Sequence, residues 1–190
     1  SVIDRNFDNT EDRVMENNTF TKIRLGFNSV NNYHRQILLG FMNELATEGF
    51  DSGYDAAQLD VQPNDFYFKI PGANLVIQGV DAFNSNKILP LSVKNATEGN
   101  VSFTLDDTEN LDENQNIYIH DNLTNEYHDI RNNNFEINLP SGTFDTRFSL
   151  RFTNAAALGT NDFELSEEVV VSFTNNDNMI NINNRSDASI

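Results

Sequence analysis

Cysteine is absent from the 190 residues, which removes disulfide bridges, thiolate metal sites and cysteine nucleophiles together. Tryptophan is absent too, so a sugar-stacking cleft would lack its largest aromatic platform. Basic residues are scarce: 12 Lys and Arg stand against 29 Asp and Glu, a formal net charge of -17. A polyanionic surface repels phosphate backbones and anionic headgroups, which argues against nucleic acid as a partner and against membrane insertion. No apolar run is long enough to span a bilayer and no apolar leader with a basic start is present, so the chain reads as a processed or excised piece. A core of this size needs no disulfide staples, so the lack of cysteine does not fix a compartment.

What is present points to short strands. Residues 22–27, KIRLGF, place Ile23, Leu25 and Phe27 on one face; FYFKI does the same with Phe66, Phe68 and Ile70, and VSFTL with Val101, Phe103 and Leu105. FEINL repeats the pattern with Phe135, Ile137 and Leu139, and FSLRF with Phe148, Leu150 and Phe152. Alternation at period two marks a half-buried strand. Between these runs lie stretches such as DDTENLDENQN and LPSGTFDT, the composition of turns. The predicted fold is all-β, an antiparallel β-sandwich of jelly-roll or Ig-like type. Abundant Asn, Asp and Thr with 15 Phe lean toward a secreted or surface protein.

One segment carries a competing period. In YHRQILLGFMNEL, Tyr33, Ile37, Phe41 and Leu45 recur every four residues with Leu38 and Met42 beside them, the pattern of an amphipathic helix. Gly40 in the middle and the Asn-rich ends oppose it.

The loop ATEGFDSGYDAAQ, residues 46–58, raises the main chemical question. Calcium takes about six to eight oxygens on a flexible loop. Asp51 and Asp55 supply two carboxylates and Ser52 a hydroxyl, with Asp60 and Asp65 close in sequence, so Asp51, Asp55 and Asp65 are the candidate ligands. The D-x-x-x-D spacing departs from the alternation of an EF-hand loop. The reading the residues favour is that Asp51 and Asp55 accept backbone N–H groups in successive turns, with Gly49 and Gly53 in left-handed conformations.

Catalysis finds little to build on. A glycosidase needs two acids across a cleft, and the pairs here are Asp51 with Asp55, Asp106 with Asp107, and Glu167 with Glu168. Sequence neighbours on a regular strand point to opposite faces. In IYIHDNLTNEYHDI, a hairpin turning at Leu123 and Thr124 sets His120 opposite Tyr127 and His128 opposite Ile119, which keeps the two histidines from sharing a metal. His34, beside Arg35 and Gln36, reads as a hydrogen-bonding surface residue. No Ser-His-Asp order, nucleophile elbow or Gly-rich phosphate loop can be assembled, so no catalytic residue is assigned. Arg147 lies on the face opposite Phe148 and Leu150 and is expected to pair with Asp145 or Asp121, pinning a loop to the sheet. The alternative makes it part of a docking patch for the domain that follows.

Read in order, YHRQILLGFM, ATEGFDSGYDA, DFYFKI, LVIQGV, LPLSVKNATEGNVSFTLDD, IYIHDNLTNEYHDI and LPSGTFDTRFSLRFTN resemble a known module. It is the β-sandwich found just before the C-terminal sorting domain in many proteins secreted by the type IX system of Bacteroidota, and the resemblance covers residues 20–154. Its most specific pieces are the Gly-Phe-Asp plus Tyr-Asp loop, the Asp121-Asn-Leu-Thr-Asn turn, and Gly142, Asp145, Arg147 and Phe148. Residues 167–190 resemble the opening of a type A sorting domain, with Val169, Val171 and Phe173 before an Asn-rich turn and Ile180 and Ile182 after it. The later strands and positively charged end of that family do not follow. The expected organisation is a polar segment 1–18, a sandwich 19–156, a linker 157–166, and a truncated start of a second small β-sandwich at 167–190. The resemblance also implies that residues 35–41 form a strand, and that the protein is secreted to the exterior or outer cell surface. The implied partners are the secretion machinery, through the sorting domain, and upstream domains of the same chain.

Two functions from different classes follow. The expected one is a non-catalytic structural module that spaces or presents an upstream domain, or builds a surface assembly by self-association. The alternative is a carbohydrate-binding module for surface glycan, with Tyr54, Tyr67 and Tyr127 as stacking platforms, Asn and Asp as hydroxyl partners, and calcium as its cofactor. A flat row of exposed tyrosines would favour the glycan; buried or scattered tyrosines favour the scaffold.

Overall fold

The computed structural model describes residues 19–154, 169–174 and 179–184, and the chain divides into two compact units, Ser1–Phe152 and Thr153–Ile190. The expected polar segment 1–18, the linker 157–166 and the pair Glu167–Glu168 lie outside the described residues.

In the first unit the strands are β1 (Thr21–Asn28), β2 (His34–Phe41), β3 (Ala56–Ala57), β4 (Asp65–Ile70), β5 (Ala73–Val80), β6 (Ile88–Asn95), β7 (Gly99–Glu109), β8 (Tyr118–Asp121), β9 (Glu126–Asp129), β10 (Phe135–Leu139) and β11 (Gly142–Arg151). They form one sheet in the order β10-β7-β1-β2-β5-β4-β6-β11-β8-β9, with the short β3 added against β5. Every pairing is antiparallel except β2 with β5. The sheet curls until its terminal strands approach: the His128 ring of β9 stacks on Phe135 of β10 with centroids 3.6 Å apart. Its halves then enclose a single apolar core, an all-β sandwich close to a closed barrel.

The alternating residues of the sequence fill that core. Ile23, Leu25, Phe27, Phe66, Phe68, Phe103, Phe148 and Leu150 are buried. Phe27, Phe66, Phe135 and Phe148 gather around Phe103 at one node, with ring centroids 5.0–5.9 Å apart in the contacting pairs. Phe41, Phe83 and Phe152 form a second node at 5.1–5.8 Å. Phenylalanine suits both because, unlike Trp or Tyr, it brings no polar atom that needs a partner, and each such ring pair adds about 0.5–1.5 kcal/mol beyond burial.

The competing helical period resolves to a strand. Ile37, Leu39 and Phe41 of β2 are buried at period two, while Leu45 is 56% exposed in a 3-10 turn, Asn43–Leu45. The hairpin register is the one the sequence predicts, with Ile119 opposite His128 and His120 opposite Tyr127. In the second unit β12 (Val169–Thr174) and β13 (Met179–Asn184) pair antiparallel, setting Val171 opposite Ile182 and Phe173 opposite Ile180.

Candidate functional site

The loop after β2 is built on two glycines. Gly40 and Gly79 are partners across the parallel β2–β5 ladder, and without side chains at this pair the following chain can lie directly on the sheet. Met42 folds over Gly40, and a Cβ on Gly79 would stand 2.8 Å from Tyr54 Cβ. The two aspartates then tie the loop down. Asp51 Oδ2 accepts the Thr47 N–H at 2.6 Å and the Thr47 hydroxyl at 2.8 Å. Asp55 Oδ2 accepts the Asp51 N–H, and its Oδ1 accepts the Gly79 N–H of β5, both at 2.7 Å. Gly53 has the left-handed φ of 100° that the turn needs, whereas Gly49 does not adopt a positive φ.

Asp65 belongs to a different construction. Its Oδ2 accepts Gln58 Nε2 at 2.6 Å and the Gln62 N–H at 2.8 Å, and its Oδ1 accepts the Phe66 N–H at 2.9 Å. Arg35 clamps Asp60 with both terminal nitrogens at 2.9 and 2.8 Å, and its Nε lies 3.1 Å from Asp65 Oδ1 as an ion pair without hydrogen-bond alignment. The Asp60 hydrogen bond raises the Arg35 guanidinium above its ordinary value, and Arg35 in turn holds Asp60 below its own. Among the described residues no three His, Asp or Glu groups come together to hold a metal ion. Calcium therefore does not fit the proposed set: both Asp55 oxygens and one of Asp51 face N–H donors, and Asp65 is elsewhere.

Two β-bulges each carry a further acid cluster. In β7 the register against β1 shifts between Arg24 and Leu25, so Asp106 is the extra residue. Both Asp106 and Asp107 consequently meet partners on the outer face, correcting the expectation that neighbours diverge. Asp107 takes Arg24 Nη1 at 3.0 Å. Asp106 receives His34 Nε2 at 2.9 Å, Gln36 Nε2 at 2.8 Å and the Thr104 hydroxyl at 2.6 Å. Gly26 makes room for the cluster, since a Cβ there would overlap Thr104, Asp106 and His34. Burial pushes the Asp106 carboxyl up, but the hydrogen bonds of Thr104, Gln36 and His34 outweigh it and hold the group below its ordinary value.

The second bulge lies in β11, between Phe144 and Phe148. It carries Asp145, which accepts the Ser92 hydroxyl at 2.6 Å and the Tyr67 hydroxyl at 3.4 Å and lies 3.5 Å from Lys69 Nζ. These partners, led by Ser92, keep the Asp145 carboxyl below its usual range. Arg147, from the same bulge, pairs with Asp121 and not with Asp145, through Nη2 at 2.8 Å and Nε at 3.1 Å. Burial opposes the Asp121 charge, yet Arg147 and the N–H groups of Leu123 and Thr124 hold its carboxyl low.

A family model matches residues 3–152. The chain belongs to the domain of unknown function DUF8693. No curated protein and no solved structure shows significant similarity to it.

In this DUF8693 chain the three tyrosines named as platforms do separate jobs. Tyr67 is buried with its hydroxyl on Asp145. Tyr54 is half-buried over Gly79. Tyr127 is half-buried against the His120 ring, 4.2 Å between centroids, and edge-on to Tyr118 at 6.0 Å. They form no exposed row. His120 is buried with its ring nitrogens on Asn122 Oδ1 at 2.7 Å and Asn125 Oδ1 at 3.1 Å. Burial pushes the His128 imidazole down, toward the neutral form that stacks on Phe135.

Sequence reasoning missed the Arg35–Asp60–Asp65 clamp and the Asp106 cluster. A glycine inside an alternating strand signals close approach, and Gly26 within KIRLGF was the available sign of the second.

Proposed function

We propose that this DUF8693 domain is a non-catalytic structural module of a secreted, cell-surface-associated protein, spacing or presenting a neighbouring domain. The observation that carries the reading is Asp55, whose two carboxylate oxygens each hold a backbone N–H, one in its own loop and one in β5. The conspicuous acids act as stitches in a rigid sheet. The resemblance to the module preceding type IX sorting domains supports the surface assignment, with residues 167–190 belonging to the segment that meets the secretion machinery. The tyrosine-based glycan platform loses its support, since Tyr67 is buried and Tyr54 and Tyr127 lie against other residues.

The test is twofold. Polysaccharide panels incubated with the full chain should show no product release; turnover that disappears in Asp106→Asn or Asp55→Asn would overturn the reading. A reporter carrying the chain at its C-terminal end, expressed in a Bacteroidota host, should reach the surface only when the type IX system is intact.

A further inference from the structure

A groove of about 430 Å³ lies between the loop after β3, the end of β6 and the start of β11. That volume falls within the roughly 300–1,000 Å³ of small-ligand sites. In a chain with 29 acidic residues, no acidic residue lines it among those described, and Lys94 does. The chain has four lysines, and the other three are paired: Lys22 with Glu109, Lys69 with Asp145, and Lys87 with Glu48 and Asp81. Lys94 has no carboxylate partner among the described residues. Its cross-strand neighbour is Asp65, but that carboxylate is already held by Arg35, Gln58 and Gln62.

The rest of the wall has the chemistry of hydroxyl recognition. The side chains of Gln62 and Thr143 have no hydrogen-bond partner among the described residues, and the Ser141 hydroxyl, which donates to Ala96 O at 2.9 Å, keeps its lone pairs for an incoming donor. Asn95 is 1% exposed, its amide nitrogen donates to Leu139 O and Pro140 O, and its Oδ1 is buried behind the groove wall without a partner among the described residues. Buried acceptors in this state are rare in native structures and call for a donor. Val61, 63% exposed, and Pro63 add an apolar side.

We propose that this groove binds a hydroxylated carboxylate of the sugar-acid class, with the carboxylate on Lys94, hydroxyls on Gln62, Ser141 and Thr143, and a C–H face on Val61 and Pro63. The site uses none of the tyrosines and goes beyond the structural reading, which stands or falls separately on turnover. The ligand is either a free sugar acid or a uronate unit of an acidic polysaccharide, and the two are distinguished by chain length.

Amide chemical shifts of the full chain are followed during titration with glucuronate, with a short galacturonate oligomer, and with the neutral sugars glucose and cellobiose. Saturable shifts at Gln62, Ala96, Gly142 and Thr143 are expected with one or both acids and not with the neutral sugars. Tighter binding of the oligomer identifies a polymer ligand, and equal binding a free sugar acid. Lys94→Met should weaken binding at least about tenfold, and Lys94→Arg should retain it. Both variants should keep the parent melting temperature, because the Lys94 side chain has no hydrogen-bond or ion-pair partner among the described residues to lose. Absence of saturable shifts at millimolar acid, equal response to the neutral sugars, shifts confined to other residues, or unchanged affinity in Lys94→Met would each overturn the proposal.

Discussion

At the scale of the residue, Asp55 separates charge from hydrogen bonding. Its oxygens hold the N–H groups of Asp51 and Gly79, so Asp55→Ala leaves two donors without partners and should destabilise by about 1–3 kcal/mol in urea unfolding. Asp55→Asn retains one acceptor oxygen and should cost less. Calcium should shift the melting temperature of the parent by less than about two degrees relative to chelator, because no mass-action term arises from an ion that is not bound. A larger calcium shift that vanishes in the Asp51→Asn, Asp55→Asn double variant would restore the loop as a metal site. Gly79 supplies a packing counterpart: its Cβ position is 2.8 Å from Tyr54 Cβ, so Gly79→Ala should cost about 1–3 kcal/mol through displacement of the loop.

At the scale of the element, the period of the strands was readable and their irregularities were not. Ile23, Leu25 and Phe27 announce an inward face because burial imposes alternation, and the order of IYIHDNLTNEYHDI sets the His120–Tyr127 register because a short turn fixes it. A bulge leaves no such trace. An extra residue changes which side chains meet without changing composition, so Gly26 signals a close approach without saying that Asp106 and His34 make it, and the choice of Asp121 over Asp145 as the partner of Arg147 follows only from three-dimensional pairing. The same holds for Lys94, whose interest comes from having no carboxylate partner among the described residues. The Arg147–Asp121 pair also makes a testable support for β8 and β11: the Asp121 side chain is 1% exposed and that of Arg147 16%. Arg147→Met strands a buried carboxylate and should destabilise by about 3 kcal/mol, the low end for breaking a buried pair because the guanidinium is partly exposed. The folded Asp121 carboxyl lies below its unfolded value of about 3.9. Its contribution is therefore complete above that pH and is lost as pH falls through the folded value. Unfolding free energy measured against pH should drop on this acid limb, and the drop should be shallower in Arg147→Met. His128, also depressed, adds a loss of the same sign that begins below about pH 6.5.

At the scale of the whole molecule, a charge of -17 opposes compaction everywhere at once. Raising salt from about 10 mM to about 150 mM should screen that repulsion and raise the melting temperature by a few degrees, provided the local ion pairs lose less than the long-range repulsion relaxes. A fall in melting temperature would show that pairs such as Arg35–Asp60 dominate. The order of the sheet carries a further consequence for synthesis on the ribosome. β1 lies between β2 and β7, and its second neighbour, Gly99–Glu109, is translated long after Thr21–Asn28 and His34–Phe41 have emerged. At about 5–20 residues per second the β1 edge of the nascent hairpin stays bare for several seconds. Lys22 and Arg24 stand on that edge until Glu109 and Asp107 arrive to neutralise them, and charged side chains on an open strand discourage pairing with other chains. The two basic residues thus act twice in time: first as sentries against aggregation of the growing chain, then as the complement that receives β7.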